Sequence, residues 1–338
     1  MNFGFGWKHY IFLGNPLPRV AARMTETIIN VEGLSKHYPP DIKAVDGISF
    51  SIDTGTIFSM LGPNGAGKTT TVEILEGLRV PTAGKVTVMG ENILKAYSKI
   101  RHKVGTLPQN FEPFDMLKPW EAIQYWADLY DTRITKKEIN NLLESVGLSE
   151  RKNLYSKKLS GGERRKLGIA LSIVNNPELL FLDEPTTGLD PRARRDVWGL
   201  VNSIRDMGTT IFLTTHYLDE AEKLADDVAI MHRGKIIAEG SPGKLIENYG
   251  KGTVIVLENA GKAGLSRLKE KGIDARLDDS NQNDVIVVVK QHAKMMDVMS
   301  SLASSGIGVT DIYTKRETLE DVFLNLVGSR MEDGVLKQ

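Results

Sequence analysis

The feature that most constrains this sequence is the glycine-rich segment 62–69, which reads Gly-Pro-Asn-Gly-Ala-Gly-Lys-Thr. It fits the pattern G-x-x-x-x-G-K-[ST], with an apolar run typical of a strand at 56–61 and a helical pattern at 68–78. A strand, a glycine-rich loop and a helix in this order direct backbone N–H groups towards phosphate oxygens at a helix N-terminus. The predicted phosphate-binding residues are Gly62, Pro63, Asn64, Gly65, Ala66, Gly67, Lys68, Thr69 and Thr70.

Two side chains at the end of this loop indicate a magnesium nucleoside triphosphate as the ligand. Lys68 is long enough for its ammonium group to reach the β- and γ-phosphates. Thr69 can ligate Mg²⁺ through its hydroxyl group. We therefore expect Lys68 to act in phosphate binding and catalysis, and Thr69 to act as a metal ligand.

A second segment supplies the carboxylates that such a site needs. The apolar run 179–182 predicts a strand buried on both faces of a parallel sheet, and Asp183 and Glu184 follow it directly. Ligands of open α/β sheets bind at the carboxyl ends of the strands. Asp183 can therefore hold Mg²⁺ through water, and Glu184 can polarise an attacking water molecule.

A third segment, 159–163, reads Leu-Ser-Gly-Gly-Glu and precedes a helical pattern. Ser160, Gly161 and Gly162 would place a hydroxyl group and exposed N–H groups at a helix N-terminus, which is a second site for an anion. One chain carries only one phosphate-binding loop, so this second site requires an explanation.

Buried strands alternate with helices through the first two thirds of the chain, which favours a doubly wound α/β core. Residues 111–158 differ, because their apolar residues recur at helical spacing, and they are interpreted as a helical insert. A break at 240–252 is followed by a pattern over 253–313 in the order β-α-β-β-α-β, which is typical of a ferredoxin-like domain. We predict a leader at 1–24, a nucleotide-binding domain at 25–245 and a small α+β domain at 250–330.

The three motifs together resemble those of the ATP-binding cassette (ABC) family, whose signature sequence corresponds to residues 159–162. Glu163 stands where the family commonly has glutamine. The resemblance covers about residues 27–245, and its motifs follow the family's order. It implies an α/β phosphate-loop ATPase core, in which a mixed sheet is joined by a β-subdomain and a helical subdomain.

The resemblance also implies roles for residues that carry little signal alone. Tyr38 occupies the position of the aromatic residue that stacks on adenine, with Val45 beside it. Gln109 matches the glutamine that contacts Mg²⁺ and the membrane partner, and Asp190 ends a segment similar to the dimer-contact loop. His216 matches the histidine that contacts the γ-phosphate. The implied catalytic residues are Lys68, Gln109, Glu184 and His216.

In the family two cassettes associate head to tail, so that each phosphate loop faces the signature of the other chain. The resemblance therefore implies ATP and Mg²⁺ as cofactors and a homodimer, or pairing with a second cassette, as the working form. The segment 318–327 is similar to the end of export-type subunits whose membrane permease is a separate chain. Its alternative interpretation is an amphipathic helix that packs on its own small domain.

Composition narrows the classes of function. Lys plus Arg and Asp plus Glu both number 43, so the formal net charge is zero and no nucleic-acid partner is expected. The absence of cysteine excludes disulfides, thiol nucleophiles and cysteine-ligated metals. The longest apolar run, Val285–Val289, has five residues, far fewer than the ~20 of a spanning helix. A cytoplasmic protein, peripheral on the inner face of the membrane, is expected.

Three functions remain to be compared. The first is the ATPase subunit of an export-type transporter. The second is a soluble ABC-type ATPase in DNA repair or translation, although such proteins usually carry tandem cassettes, basic arms or long coiled coils. The third is a phosphate-loop kinase or GTPase, which would leave Ser160 and Gln109 without a role.

Overall fold

The computed structural model describes residues 26–250, 252–278, 281–289, 299–300, 308–315 and 317–337. These residues form two compact units, one made of 26–240 with 333–335 and the other of 241–332 with 336–337. The predicted leader, 1–24, lies outside the described residues. Within the described ranges, no helix is both long and apolar enough to cross a membrane.

The central sheet of the first unit has six strands in the order β10-β9-β3-β8-β7-β6. All neighbouring strands are parallel except β10, which runs antiparallel to β9. Every residue of β3, β7 and β8 is buried, because helices or other strands cover both faces of the sheet. The strands are β3 (Ile57–Leu61), β6 (Val104–Leu107), β7 (Leu179–Asp183), β8 (Thr210–Thr215), β9 (Asp227–His232) and β10 (Lys235–Gly240).

A second, antiparallel sheet has the strand order β2-β1-β4-β5. Its inner face shares an apolar core with the central sheet, in which the rings of Phe50 and Phe58 stack at 5.3 Å. The strands are β1 (Thr27–Tyr38), β2 (Ile42–Asp53), β4 (Ala83–Val88) and β5 (Glu91–Asn92). The mixed sheet, the antiparallel subdomain and the helical insert confirm the predicted fold class.

Seven helices are described in the first unit. The insert contains α3 and α4, whose apolar faces pack with α5 and α6 against the other side of the central sheet. Serine, threonine and aspartate cap several N-termini, and Asp190 accepts from two N–H groups at the start of α6. The helices are α1 (Lys68–Leu75), α2 (Ile93–Ile100), α3 (Pro119–Leu129), α4 (Lys136–Ser145), α5 (Gly161–Ser172), α6 (Pro191–Asp206) and α7 (Leu218–Leu224).

The second unit contains a four-stranded antiparallel sheet in the order β12-β13-β11-β14, which is the ferredoxin-like arrangement. Its elements are α8 (Pro242–Tyr249), β11 (Thr253–Leu257), α9 (Gly261–Glu270), β12 (Ala275–Leu277), β13 (Val285–Val289), β14 (Ile312–Lys315) and α10 (Leu319–Val327). The predicted helix at 293–304 lies outside the described residues, apart from 299–300. A terminal hairpin, β15 (Arg330–Glu332) with β16 (Val335–Lys337), had no counterpart in the sequence prediction.

Element boundaries differ from the prediction at several places. The helix predicted over 68–78 ends at Leu75, because Gly77 adopts a left-handed conformation (φ 69°) that terminates it. The strand predicted at 27–31 continues to Tyr38, since pairing with β2 and β4 extends it beyond its apolar run.

Candidate functional site

The glycine-rich loop joins β3 to α1, as the sequence predicts, and two of its glycines are sterically required. A Cβ atom on Gly67 (φ 110°) would lie 2.2 Å from the carbonyl oxygen of Ala44. One on Gly62 would lie 2.2 Å from the carbonyl oxygen of Met231. Neighbouring backbone therefore fixes the shape of the loop, and a larger residue at either position would displace it.

Lys68 is almost completely buried and holds the loop from inside. Its Nζ donates to the carbonyl oxygens of Gly62 at 2.7 Å and Pro63 at 3.2 Å. The same atom lies 3.3 Å from Oε1 of Glu184. Burial lowers the pKa of Lys68, although the neighbouring carboxylates of Glu184 and Asp183 oppose the shift. The cation is therefore positioned where the phosphates are expected, with Glu184 as its partner.

Asp183 ends β7 and faces the start of α1. The hydroxyl of Thr214 donates to its Oδ1, and Thr69 is a second hydrogen-bond partner. Burial raises the pKa of Asp183 above its ordinary value, although the hydrogen bonds with Thr214 and Thr69 oppose the shift. A carboxylate next to a threonine hydroxyl matches the oxygen ligands that Mg²⁺ prefers.

The described residues contain no group of three or more His, Asp or Glu side chains that could hold a metal ion. In nucleotide sites Mg²⁺ is commonly held by one or two protein oxygens, with phosphates and water as the remaining ligands. Thr69 and Asp183 fit that requirement.

Glu184 is the centre of the cluster and lies only 5% exposed. Its Oε2 accepts from Nε2 of Gln109 at 2.9 Å and from the hydroxyl of Thr187 at 3.1 Å, and lies 3.2 Å from Nδ1 of His216. Burial raises the pKa of Glu184, but the contacts with His216, Lys68 and Thr187 outweigh it and lower the pKa to about 2. Glu184 is therefore ionised in this conformation, with both oxygens occupied.

The backbone of Glu184 has a φ of 48°, in the left-handed region that residues with a side chain rarely adopt. Its N–H donates to the backbone oxygen and the hydroxyl oxygen of Thr214, on the adjacent strand β8. This turn directs the carboxylate away from the strand and towards Lys68 and Gln109.

His216 follows β8 and is also buried. The centre of its ring lies 4.2 Å from that of Tyr217, the residue that precedes α7. The guanidinium of Arg194, on α6, lies 4.0 Å from the centre of the Tyr217 ring. The fold thus brings together four residues that the sequence predicts as catalytic and that are far apart in the chain. They are Lys68, Gln109, Glu184 and His216.

Ser160 caps α5 and does not belong to this cluster. Its Oγ accepts from the N–H of Glu163 at 3.2 Å, and Oε2 of Glu163 accepts from the N–H of Ser160 at 2.9 Å. Among the described residues, the hydrogen bonds of Ser160 are made within this capping turn and none joins it to the phosphate loop. Ser160 and Gly161 are exposed, so this helix end is open to a ligand or a second chain.

The remaining predicted residues, Tyr38, Val45 and Asp190, lie in three different environments. Tyr38 is half-buried at the end of β1, with Nζ of Lys36 5.1 Å and the guanidinium of Arg79 5.8 Å from its ring centre. Val45 has no exposed surface and packs in the core, and its role in nucleotide binding stays a prediction. Asp190 is engaged as the cap of α6, and its hydrogen bonds with the N–H groups of Ala193 and Arg192 lower its pKa.

The sequence analysis missed two residues that support the cluster. Arg165, on α5, donates to backbone carbonyl oxygens on both sides of Glu184. Glu220 is fully buried, and its Oε1 accepts from the hydroxyl of Thr186 at 2.8 Å and from Nε1 of Trp198 at 3.0 Å. The sequence signal for Arg165 and Glu220 is the same, namely a charged residue on the apolar face of a helix.

Comparison with known proteins identifies relatives of this architecture. The family model described as "ABC transporter" matches residues 45–187. The daunorubicin resistance ATP-binding protein DrrA3 of Streptomyces coeruleorubidus is 36% identical over 308 residues, which are 90% of this chain and 97% of the relative. The Nod factor export ATP-binding protein I of Ralstonia nicotianae is 35% identical over 312 residues, which are 90% of this chain and 95% of the relative.

A solved structure shares the fold over about two thirds of this chain. CbiO1 from Clostridium perfringens, described as part of the ABC transporter complex cbiONQ, superposes with a TM-score of 0.60 at 27% identity. The superposition covers 67% of this chain and 92% of that one. The shared fold therefore leaves about a third of this chain outside the match.

Proposed function

Because this chain belongs to the ABC transporter family, we propose that the cluster around Lys68 and Glu184 binds and hydrolyses MgATP to drive export through a membrane permease. The chain is an ABC ATPase subunit of the export type, as its relatives in drug resistance and Nod factor export are. The alternative in DNA repair or translation has no support, and neither has a kinase or GTPase. The observation that carries the site assignment is the convergence of Lys68, Gln109 and His216 on Glu184.

Binding of ATP begins at the loop 62–70, where N–H groups at the start of α1 face the phosphates. Lys68 would exchange its contact with Glu184 for the β- and γ-phosphates, since a dianionic phosphate is a stronger partner than one carboxylate. Tyr38 offers an aromatic face for the adenine ring. Thr69 and Asp183, with Gln109 nearby, would hold Mg²⁺, which neutralises charge on the phosphate oxygens.

Glu184 is the proposed general base. In this structure its depressed pKa makes it a weak base, because Lys68 and His216 stabilise the carboxylate. When ATP draws these groups away, the pKa of Glu184 rises and its oxygens become free for a water molecule. The water oxygen then bonds to the γ-phosphorus as the bond to ADP breaks, and Glu184 accepts the water's proton.

The open end of α5 provides the argument for a dimer. The residues at this end, Ser160, Gly161 and Gly162, present N–H groups and the positive end of a helix dipole. None of the hydrogen bonds of Ser160 described above reaches the phosphate loop of its own chain. Two copies in a two-fold arrangement would place each α5 N-terminus against the other copy's γ-phosphate. The working form that we propose is therefore a homodimer with two shared sites.

Mixing two inactive variants tests the shared site. Ser160→Arg should block closure, and Lys68→Ala should prevent binding, so each variant alone should show little ATPase activity. A mixture should recover up to about a quarter of the wild-type rate, because half of randomly paired isologous dimers are mixed and each has one intact site. Steady-state ATPase measurements across mixing ratios give the result.

Because Ser160 also caps α5, circular dichroism must first show that Ser160→Arg folds, and Ser160→Ala serves as the milder variant. If each site lay within one chain, every copy would carry a lesion. Activity would then never exceed the weighted average of the two variants, despite mixed dimers demonstrated by differential tags.

An exposed aromatic surface, formed by α3 and the segment between Gln109 and α3, is the proposed docking site of the permease. We name it the aromatic surface, and it consists of Phe114, Met116, Trp120, Tyr125 and Leu129, which are 38–63% exposed. Phe114 and Tyr125 contact edge to face at 5.6 Å, so the surface is preformed. Apolar patches of this kind mark protein interfaces. Docking here would hold the chain at the cytoplasmic face of the membrane and connect the permease to Gln109.

Polar substitution on the aromatic surface should release the permease without impairing ATP binding. The variant Phe114→Ser/Tyr125→Ser should reduce, by about tenfold or more, the amount of membrane protein that co-purifies, since aromatic anchors dominate such interfaces. The matched control is Ile42→Ser, which removes a side chain that is 60% exposed on the antiparallel sheet. Equal recovery of the membrane partner with both variants would contradict the assignment.

A further inference from the structure

Arg165 makes an unusual set of contacts, because among the described residues its guanidinium donates only to backbone carbonyl oxygens. These oxygens belong to two separate segments, the turn after β7 and the turn after β6. The acceptors are Pro185 at 2.7 Å from Nε, Pro108 at 3.1 Å and Gln109 at 3.2 Å from Nη1, and Asp183 and Glu184 each at 2.8 Å from Nη2.

The geometry of these contacts requires arginine. Only a planar fork of N–H donors can satisfy acceptors in two directions at once, whereas an ammonium is a point charge with fewer donors. Burial lowers the pKa of Arg165 to about 10, so the group is still charged at neutral pH. Each bond is therefore charge-assisted, and the set fixes the relative positions of the two turns.

The second link between α5 and these turns is close packing. A Cβ atom on Gly168, one turn after Arg165, would lie 2.7 Å from side-chain atoms of both Leu107 and Phe111. These residues flank Gln109 in the sequence. Because no space separates the helix from this segment, a displacement of α5 must be passed on to the turn that carries Gln109.

In the dimer proposed above, the N-terminus of α5 belongs to the ATP site of the second copy. Arg165, in the second turn of the same helix, holds the catalytic groups of its own copy's ATP site. Ser160 at the N-terminus faces the second copy's nucleotide in the dimer proposed above, and Arg165 holds Gln109 and Glu184 of its own site. We propose that Arg165 is a positioning residue that couples the two ATP sites, by transmitting closure at the α5 N-terminus to Gln109 and Glu184. This inference rests on the proposed dimer.

Coupling of this kind is measured by the cooperativity of ATP hydrolysis. The full-length chain should hydrolyse MgATP with a Hill coefficient above 1. In Arg165→Met the coefficient should fall to about 1, and kcat should fall about tenfold as the turns lose alignment. Binding of labelled ATP to the monomer should change less than twofold, since Arg165 bonds to backbone oxygens outside the loop 62–70 and every predicted phosphate-binding residue is retained. Arg165→Lys should give an intermediate coefficient.

The matched control is Arg164→Met, which removes the same charge from the exposed neighbouring position on α5. It should keep the cooperativity of the wild type. If Arg165→Met does not fold, as judged by circular dichroism, Arg165→Lys decides the question alone. A Hill coefficient that stays at the wild-type value in the folded Arg165 variant, or a wild type without cooperativity, would overturn the proposal.

A separate measurement shows which proposal has failed. If Glu184→Gln stays monomeric with ATP, the shared-site dimer is wrong, and the role of Arg165 falls with it. If that variant dimerises and the Arg165 variants remain fully cooperative, only the coupling inference is refuted.

Discussion

Glu184→Gln should lower the rate of ATP hydrolysis by about 10²–10⁴-fold, which is the usual contribution of a general base. The amide cannot accept the proton of the attacking water, although it has nearly the same size and can still contact Gln109 and Thr187. For Lys68, the substitution removes only a carboxylate that competes with the phosphates of ATP for its ammonium group. ATP affinity should therefore be unchanged or higher.

With hydrolysis blocked, ATP should hold two copies of this variant together. Light scattering after size-exclusion chromatography, with and without MgATP, should show a monomer converted to a dimer. The control is Glu178→Gln, the same change at an exposed carboxylate that pairs with Lys103 at 2.9 Å. Turnover by Glu184→Gln within a factor of two of the control would show that another group acts as the base.

Lys68→Ala is expected to abolish tight MgATP binding. The cation is held among Gly62, Pro63 and Glu184, with little freedom to lose when it binds phosphate. Removing a charged hydrogen-bond partner costs about 1.5–3 kcal/mol, so the Kd should rise about 10- to 100-fold. Repulsion between Glu184, which now lacks its cation, and the γ-phosphate weakens binding further.

Equilibrium binding of a fluorescent ATP analogue measures this effect. Lys85→Ala is the control, since it removes an exposed lysine from β4 in the same unit. The double variant Lys68→Ala/Glu184→Gln separates the two causes, because removing the repulsion should restore part of the affinity. Unchanged binding by Lys68→Ala would exclude the phosphate-loop assignment.

The local parts of the site could be predicted from the sequence. The loop 62–69 matches a short sequence pattern, and the cap at Ser160 is completed by Glu163 three residues later. The steric reason for glycine at 62 and 67 is not local, because the carbonyl oxygens that exclude a side chain belong to Met231 and Ala44. The contact of Lys68 with Glu184 is not local either, because it depends on β8 lying between β3 and β7. Strand order is a property of the whole sheet, and no local pattern specifies it.

Arg165 shows a second limit. Its acceptors are carbonyl oxygens up to 57 positions away, and every residue type has the same carbonyl group. A sequence therefore carries no mark of such partners. Val45 shows the same limit, because family resemblance indicates its position, whereas its complete burial depends on how the two sheets pack together.

The left-handed backbone of Glu184 affects how improved variants of this protein should be selected. A residue with a side chain in that region costs about 1–3 kcal/mol, whereas glycine adopts it freely. A glycine at position 184 would relieve that strain, but it would also remove the base and leave the buried Lys68 without its carboxylate partner. Because these two effects on stability oppose each other, the melting temperature does not report whether position 184 is functional. A library screened for heat resistance must therefore be scored for activity as well.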